Sequence, residues 1–124
     1  MSLIDSLFRK RTTKQVIGDA GEDAALLYLQ QRGLTLVERN FRCKGGEIDL
    51  VMQHKESLVF VEVRVRADKR HGGAAASITA HKQRRLIIAA QTFLQRYREP
   101  PPCRFDVIAI DDDEMTWLVN ALEM

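Results

Sequence analysis

Apolar and polar positions recur along this chain with two different periods, and the change from one to the other divides it into elements. From about Lys14 to Arg32 the period is helical, with Ile17, Gly21, Ala24, Ala25 and Tyr28 on one stripe and Gly33 placed to end the helix. Gly18, Ala20 and Gly21 would let that helix approach a sheet closely. Three runs with strand character follow, about Thr35 to Arg42, Glu47 to Gln53 and Leu58 to Arg66, punctuated by Gly45-Gly46 and by "HKES". The stretch "ADKRHGGAAAS" leads into a second helix from about Ile78 to Tyr97. Its stripe is Leu86, Ile87, Ala90, Phe93, Leu94 and Tyr97; Thr79 is placed to cap it, and "EPPP" stops it. "RFDVIAI" predicts a strand and "TWLVNAL" a further one. The order helix, three strands, helix, strand predicts an α/β fold with helices covering a mixed sheet.

The chain has 124 residues, enough for one domain with one core. Residues 1–13 are expected to form a flexible N-terminal arm and residues 14–124 the single domain. No apolar run approaches the roughly 20 residues a membrane-spanning helix needs, so no membrane partner is expected. The opening "MSLIDSLFRKRTTKQ" puts its basic cluster after a very short apolar patch, unlike a secretory signal, so a cytoplasmic protein is expected. Cys43 and Cys103 lack the spacing of a zinc site and are expected to be separate thiols.

A net charge of +2 decides little, but its distribution changes the picture. Arg64, Arg66, Lys69, Arg70, Lys82, Arg84 and Arg85 fall close together against one acid, Asp68, and Arg9, Lys10, Arg11 and Lys14 form a second basic cluster. The acids gather in "DDDE" at 111–114. This asymmetry fits a polyanion-binding face, and a solvated basic loop would share it. His54 falls in an expected turn and His71 in a loop, both facing solvent; Trp117 is expected at the core or a sheet edge.

Asp49 and Glu62 interrupt two apolar strands, where a carboxylate loses water at a cost. In the third strand Val59, Val61, Val63 and Val65 point one way and Leu58, Phe60, Glu62 and Arg64 the other. In the second, Ile48, Leu50 and Met52 share one side and Glu47, Asp49 and Val51 the opposite one. With "HKES" as a four-residue hairpin loop, Gln53 pairs with Leu58 and Val51 with Phe60. Asp49 then stands across from Glu62, with Cβ atoms about 5 Å apart. Such a pair needs a proton, neighbouring cations or a bridging divalent metal, and oxygen ligands suit Mg²⁺, Mn²⁺ or Ca²⁺. An ion-pair network with Arg64 and Arg66 would satisfy it equally.

Asp49, twelve further residues and then Glu62-Val63-Arg64 resemble the PD-(D/E)xK nuclease motif. More narrowly, the chain resembles the YraN family, small bacterial restriction-endonuclease-like proteins related to archaeal Holliday junction resolvases. "GDAGEDAA", "RNFRCKGGEIDLV", "LVFVEVRVR", Lys82 and "RFDVIAI" carry the likeness, from about Ile17 to Ile110. The resemblance implies a restriction-endonuclease-like αβββαβ core and a metal-dependent nuclease acting on DNA rather than RNA, including branched or junction DNA, with metal-activated water as nucleophile. It implies Mg²⁺ (or Mn²⁺) on Asp49 and Glu62, with Glu22 joining from the first helix, and, by analogy, a homodimer. Arg66, Lys69, Arg70, Lys82 and Arg85 would hold backbone phosphates. Arg64 stands where the motif usually has Lys; it stays charged and is a poor proton acceptor, though it can neutralise a phosphate, and Lys82 could take its place in space. The alternatives are a non-catalytic nucleic-acid-binding module with a site degenerate at Arg64, and a protein-interaction domain.

Overall fold

Thr12 is the first residue described in the computed structural model, which covers residues 12–66 and 77–122. Most of the expected arm, and Lys69, Arg70 and His71, lie outside the described residues. Thr12 caps helix α1 (Thr13–Gln31). Its hydroxyl accepts from the Gln15 amide at 3.1 Å while the Gln15 side chain accepts from the Thr12 amide at 2.9 Å, so two otherwise unpaired donors are met reciprocally. Gly33, at φ 93°, turns the chain out of the helix in a conformation other residues enter at a cost. Then come β1 (Thr35–Cys43), β2 (Gly46–His54), β3 (Ser57–Arg66), α2 (Ala80–Leu94), β4 (Cys103–Asp111) and β5 (Glu114–Leu122). Thr79 caps α2, its side chain accepting from the Lys82 amide.

The strands form one sheet in the order β1-β2-β3-β4-β5. All neighbours are antiparallel except β3 and β4, which run parallel because the connection between them passes through α2. The sheet is mixed, the two helices cover it, and the αβββαβ order carries a fifth strand at one edge. This is the α/β architecture expected, consistent with a restriction-endonuclease-like core.

The sheet separates two apolar cores. Ala25 and Leu29 of α1 pack on Leu50, Met52, Val59, Val61 and Ile108. Leu86, Ala90 and Phe93 of α2 pack on Ile48, Val51, Phe60 and Phe105, with Phe93 edge-on to Phe41 and Phe60. The buried stripe of α1 is Gly21, Ala25 and Leu29; Ile17 and Ala24, expected on it, are exposed. Close approach is a property of Gly21 and not of Gly18. A Cβ at Gly21 would stand 2.5 Å from a Val65 methyl, whereas one at Gly18 would meet nothing within 4 Å.

The hairpin register is the expected one, with Gln53 opposite Leu58 and Val51 opposite Phe60. The loop is shorter than four residues: His54 pairs with Ser57, leaving Lys55-Glu56 as the turn, Lys55 at φ 56°. The face assignment of β2 needs correction. Val51 and Ile48 both pack under α2, while Leu50 and Met52 pack under α1, so alternation resets at Asp49. The partner strand resets with it, for Arg39 reaches α1 and Phe41 packs against α2. Between them Asn40 takes φ 55°, a left-handed conformation that Asn tolerates better than most residues. Both strands thus turn over at one level.

His54 does not face solvent freely. It ends β2 half-buried, Nδ1 3.3 Å from an Arg104 guanidinium nitrogen. Arg104 in turn donates to Asp106, which is 1% exposed and also accepts from the Trp117 indole and the Asn120 amide, both at 2.9 Å. Trp117 is accordingly part of the core margin. Both cysteines are free. Among the described residues, no helix is long and apolar enough to cross a membrane.

Candidate active site

The last paired residues of the β2–β3 ladder on this side are Leu50 and Val61. Just beyond them, at the level where β1 and β2 turn over, stand Asp49 and Glu62. The Asp49 carboxylate itself accepts from the Val63 backbone N–H at 2.8 Å. A side-chain oxygen thereby serves a β3 backbone donor, and it fixes the carboxylate in the gap between the strands. Glu62 stands across the gap, close enough that each carboxylate alters the other's proton affinity. The pair expected from register therefore forms, but in the opening where β2 leaves β3.

The opening is the floor of a cleft of about 800 Å³, lined by Glu22 of α1, Glu47 and Asp49 of β2, and Glu62, Arg64 and Arg66 of β3. Burial weighs on both central acids. Asp49 is pushed up to about 6, mainly by desolvation, with the Val63 N–H opposing and the Glu22 and Glu47 charges adding. Glu62 is pushed up to about 8, first by desolvation and then by the Asp49 charge, with Arg64 opposing. Of the two, Glu62 is the one pushed further up and so the natural carrier of a proton. Two desolvated carboxylates this close repel, so the pair takes up a proton more readily than two separate acids would.

Arg64 flanks the pair. Its Nε donates to the Ser77 hydroxyl at 2.9 Å, and Nη1 lies 3.6 Å from Glu62 Oε1. Glu22 reaches the cleft from α1 but is tied to Arg39, whose Nε is 3.2 Å from Glu22 Oε1 and whose Nη2 is 2.7 Å from Asp23 Oδ1. Among the described residues, no three His, Cys, Asp or Glu side chains converge closely enough to hold a metal ion. The acids that do converge suit a hard cation nonetheless. Their raised proton affinity is the electrostatic demand a divalent ion would meet, and Mg²⁺ is commonly held by one or two carboxylates while keeping water and phosphate oxygens.

Of the expected phosphate-binding residues, Arg66 lines the cleft, as does Lys14 of α1. Lys82, at the start of α2, is within electrostatic reach, its pKa lowered by burial first and then by Arg64, with Glu62 opposing. Neither Lys82 nor Arg85 is among the described residues lining the cleft. Sequence reasoning passed over Glu47, Arg39 and Ser77. Glu47 could have been found from its two-residue spacing to Asp49. Arg39 and Ser77 carry no local signal, because their partners lie 17 and 13 residues away in the chain.

The model of the uncharacterised protein family UPF0102 matches residues 21–110. A UPF0102 protein of Janthinobacterium sp. (strain Marseille) is 69% identical over 120 residues, covering 97% of this chain and 98% of that protein. One of Herminiimonas arsenicoxydans is 68% identical over 123 residues, 99% of each. One of Methylibium petroleiphilum is 51% identical over 118 residues, 90% of this chain and 97% of that protein.

Proposed function

We propose that this chain, which belongs to the uncharacterised protein family UPF0102 (the YraN family), is a metal-dependent phosphodiesterase that cuts DNA, including branched or junction DNA. The observation that carries the reading is the half-buried Asp49–Glu62 pair, two carboxylates from adjacent strands lining one open cleft with Arg64 alongside. Asp49 and Glu62 would hold Mg²⁺ or Mn²⁺. Once bound, the cation would supply positive charge to the phosphate oxygens and acidity to the attacking water. The chain's own residues prepare the rest. The Val63 N–H holds Asp49 in one orientation, so the carboxylate does not reorganise when the site is used. Ser77 anchors Arg64 through Nε, and the outer nitrogens, with Nη1 already 3.6 Å from Glu62 Oε1, would reach a scissile phosphate beside the pair. Arg64 remains charged throughout and takes no proton. Arg66 and Lys14 at the cleft, with Lys82 and Arg85 beyond it, would hold neighbouring backbone phosphates without reading bases. A homodimer would be needed to cut two strands in concert, since one cleft holds one carboxylate pair.

The test is incubation with four-way junction, flap and linear DNA in Mg²⁺ or Mn²⁺. Cleavage is expected, and it should vanish in EDTA and in Asp49→Ala and Glu62→Ala. Persistence of cleavage in both variants, or its absence from every substrate and metal, sinks the proposal.

One observation favours a second reading. Guanidinium groups already stand beside the acids, Arg64 by Glu62 and Arg39 by Glu22, so the site could be balanced without an ion. A non-catalytic DNA-binding module would then bind equally in EDTA and Mg²⁺ and cut nothing.

A further inference from the structure

Among the described residues, Arg39 is the one guanidinium at this site that serves two acids of the same helix. It pairs with Leu50 across the β1–β2 ladder, one step before both strands turn over, which aims its side chain at α1. There it meets Glu22 and Asp23, consecutive in sequence but different in setting. The Glu22 side chain is 15% exposed and lines the cleft, while that of Asp23 is 68% exposed and is not among the cleft-lining residues. The contact to Asp23 is the shorter, 2.7 Å against 3.2 Å. Arg39 is raised above its ordinary value, first by the hydrogen bond to Asp23, with burial opposing and Glu22 contributing next.

The two contacts have different consequences. The charge of Glu22 is felt at Asp49, yet Glu22 does not converge with Asp49 and Glu62 into a three-carboxylate group. At the wall it is bonded to Arg39. Losing that bond would ordinarily leave a half-buried guanidinium with one partner fewer, but Arg39 keeps Asp23.

We propose that Arg39 is a positioning residue that holds Glu22 back from the Asp49–Glu62 pair, and that Asp23 is its alternate partner when Glu22 moves to a divalent cation. The proposal rests on the reading that the pair takes such a cation. It gives Glu22 two positions, against Arg39 in the ion-free site and toward the pair when a cation is bound. Glu22 then adds a third carboxylate to a site that has two. The strength of cation binding is set by the competition between Arg39 and the ion for Glu22, and Asp23 sets how firmly Arg39 competes.

Direct Mn²⁺ binding, followed by electron paramagnetic resonance of the free ion or by calorimetry, tests this with no substrate present. Arg39→Gln should tighten Mn²⁺ binding by about tenfold, the scale of residues that act on a metal's ligands. Asp23→Asn should weaken it by about threefold, the scale of one exposed ion pair, because Arg39 then has Glu22 alone. In a Glu22→Gln background both effects should disappear. Asp23 is exposed, so its variant gives a result even if Arg39→Gln fails to fold. Wild-type binding of Mn²⁺ that is lost in Asp49→Asn but unmoved by Arg39→Gln and Asp23→Asn would overturn this proposal and leave the nuclease reading standing. The same effects persisting in Glu22→Gln would also overturn it. Failure of the wild-type chain to bind Mn²⁺ at all would remove both.

Discussion

Glu62 and Asp49 make the fold's stability depend on pH in an unusual direction for acids. Both bind protons more tightly in the folded chain, at about 8 and about 6, than the ordinary values near 4. The folded state therefore holds more protons than the unfolded chain across the interval from about pH 4 to 8. The contribution is fully present below that interval and is lost as pH rises through the folded values. Without divalent cations, urea denaturation should show stability falling by about 5 kcal/mol between pH 5 and 8.5. Glu62→Gln keeps the shape and a donor toward Asp49 but cannot ionise. It should flatten the profile and be the more stable protein at pH 8.5. Mg²⁺ should restore the wild type at pH 8.5 and do little at pH 5. Parallel profiles for wild type and variant would mean the pair is not protonated as described. Asn40 offers a second check at this scale. At φ 55°, Asn40→Val should cost about 1–2 kcal/mol, and Asn40→Gly should be tolerated, measured by the same denaturation.

Two glycines, one in α1 and one at the start of β2, meet very different packing. Gly18 lies within α1 with open space where a Cβ would stand. Gly18→Ala should therefore stabilise by about 0.5–1 kcal/mol through helix propensity alone. Gly46 begins β2 where α2 crosses it, and a Cβ there would lie 2.1 Å from the Arg85 carbonyl oxygen and 2.9 Å from the Ala89 nitrogen. Backbone cannot yield as a side chain can, so Gly46→Ala should cost about 3 kcal/mol or more and lower the melting temperature. Element limits were legible because glycine pairs, the "EPPP" run and Thr79 are local signals, and the β2–β3 register survived a wrong loop length because both assignments put Gln53 across from Leu58. The faces of β2 were not legible. Hydrophobic alternation assumes an uninterrupted strand, and the interruption falls level with Asn40 on the neighbouring strand, with which the sequence of β2 shares no pattern. Asp49 and Glu62 were legible as carboxylates out of place among valines. Glu22 entered through resemblance alone, and Arg39 not at all, since its role exists only once β1 and α1 face each other.

Across the whole molecule, the sheet is closed on both faces by helices and opens at the Asp49–Glu62 gap, and that gap opposes its own proposed substrate. Glu22, Glu47, Asp49 and Glu62 line the cleft beside Lys14, Arg64 and Arg66. A DNA backbone drawn by the basic residues meets carboxylates at the floor, and like charges at short range in a poorly hydrated cleft repel strongly. A divalent cation would reverse the sign of that contact; removing the carboxylate charges would reverse it without any ion. At constant ionic strength, DNA binding in EDTA by Asp49→Asn/Glu62→Gln should therefore be tighter than that of the wild type, by about tenfold for some 1.4 kcal/mol of relieved repulsion. Ca²⁺ should tighten the wild type and leave the double variant unmoved. Both proteins should still lose affinity steeply with salt, and Arg66→Gln should lower the slope of log K against log salt by about 1 in each, because that residue's counterion release does not depend on the floor. Equal affinity of the two proteins in EDTA, with the salt slope intact, would put DNA on the basic flank outside the cleft, and the carboxylates would then have no phosphate to act on.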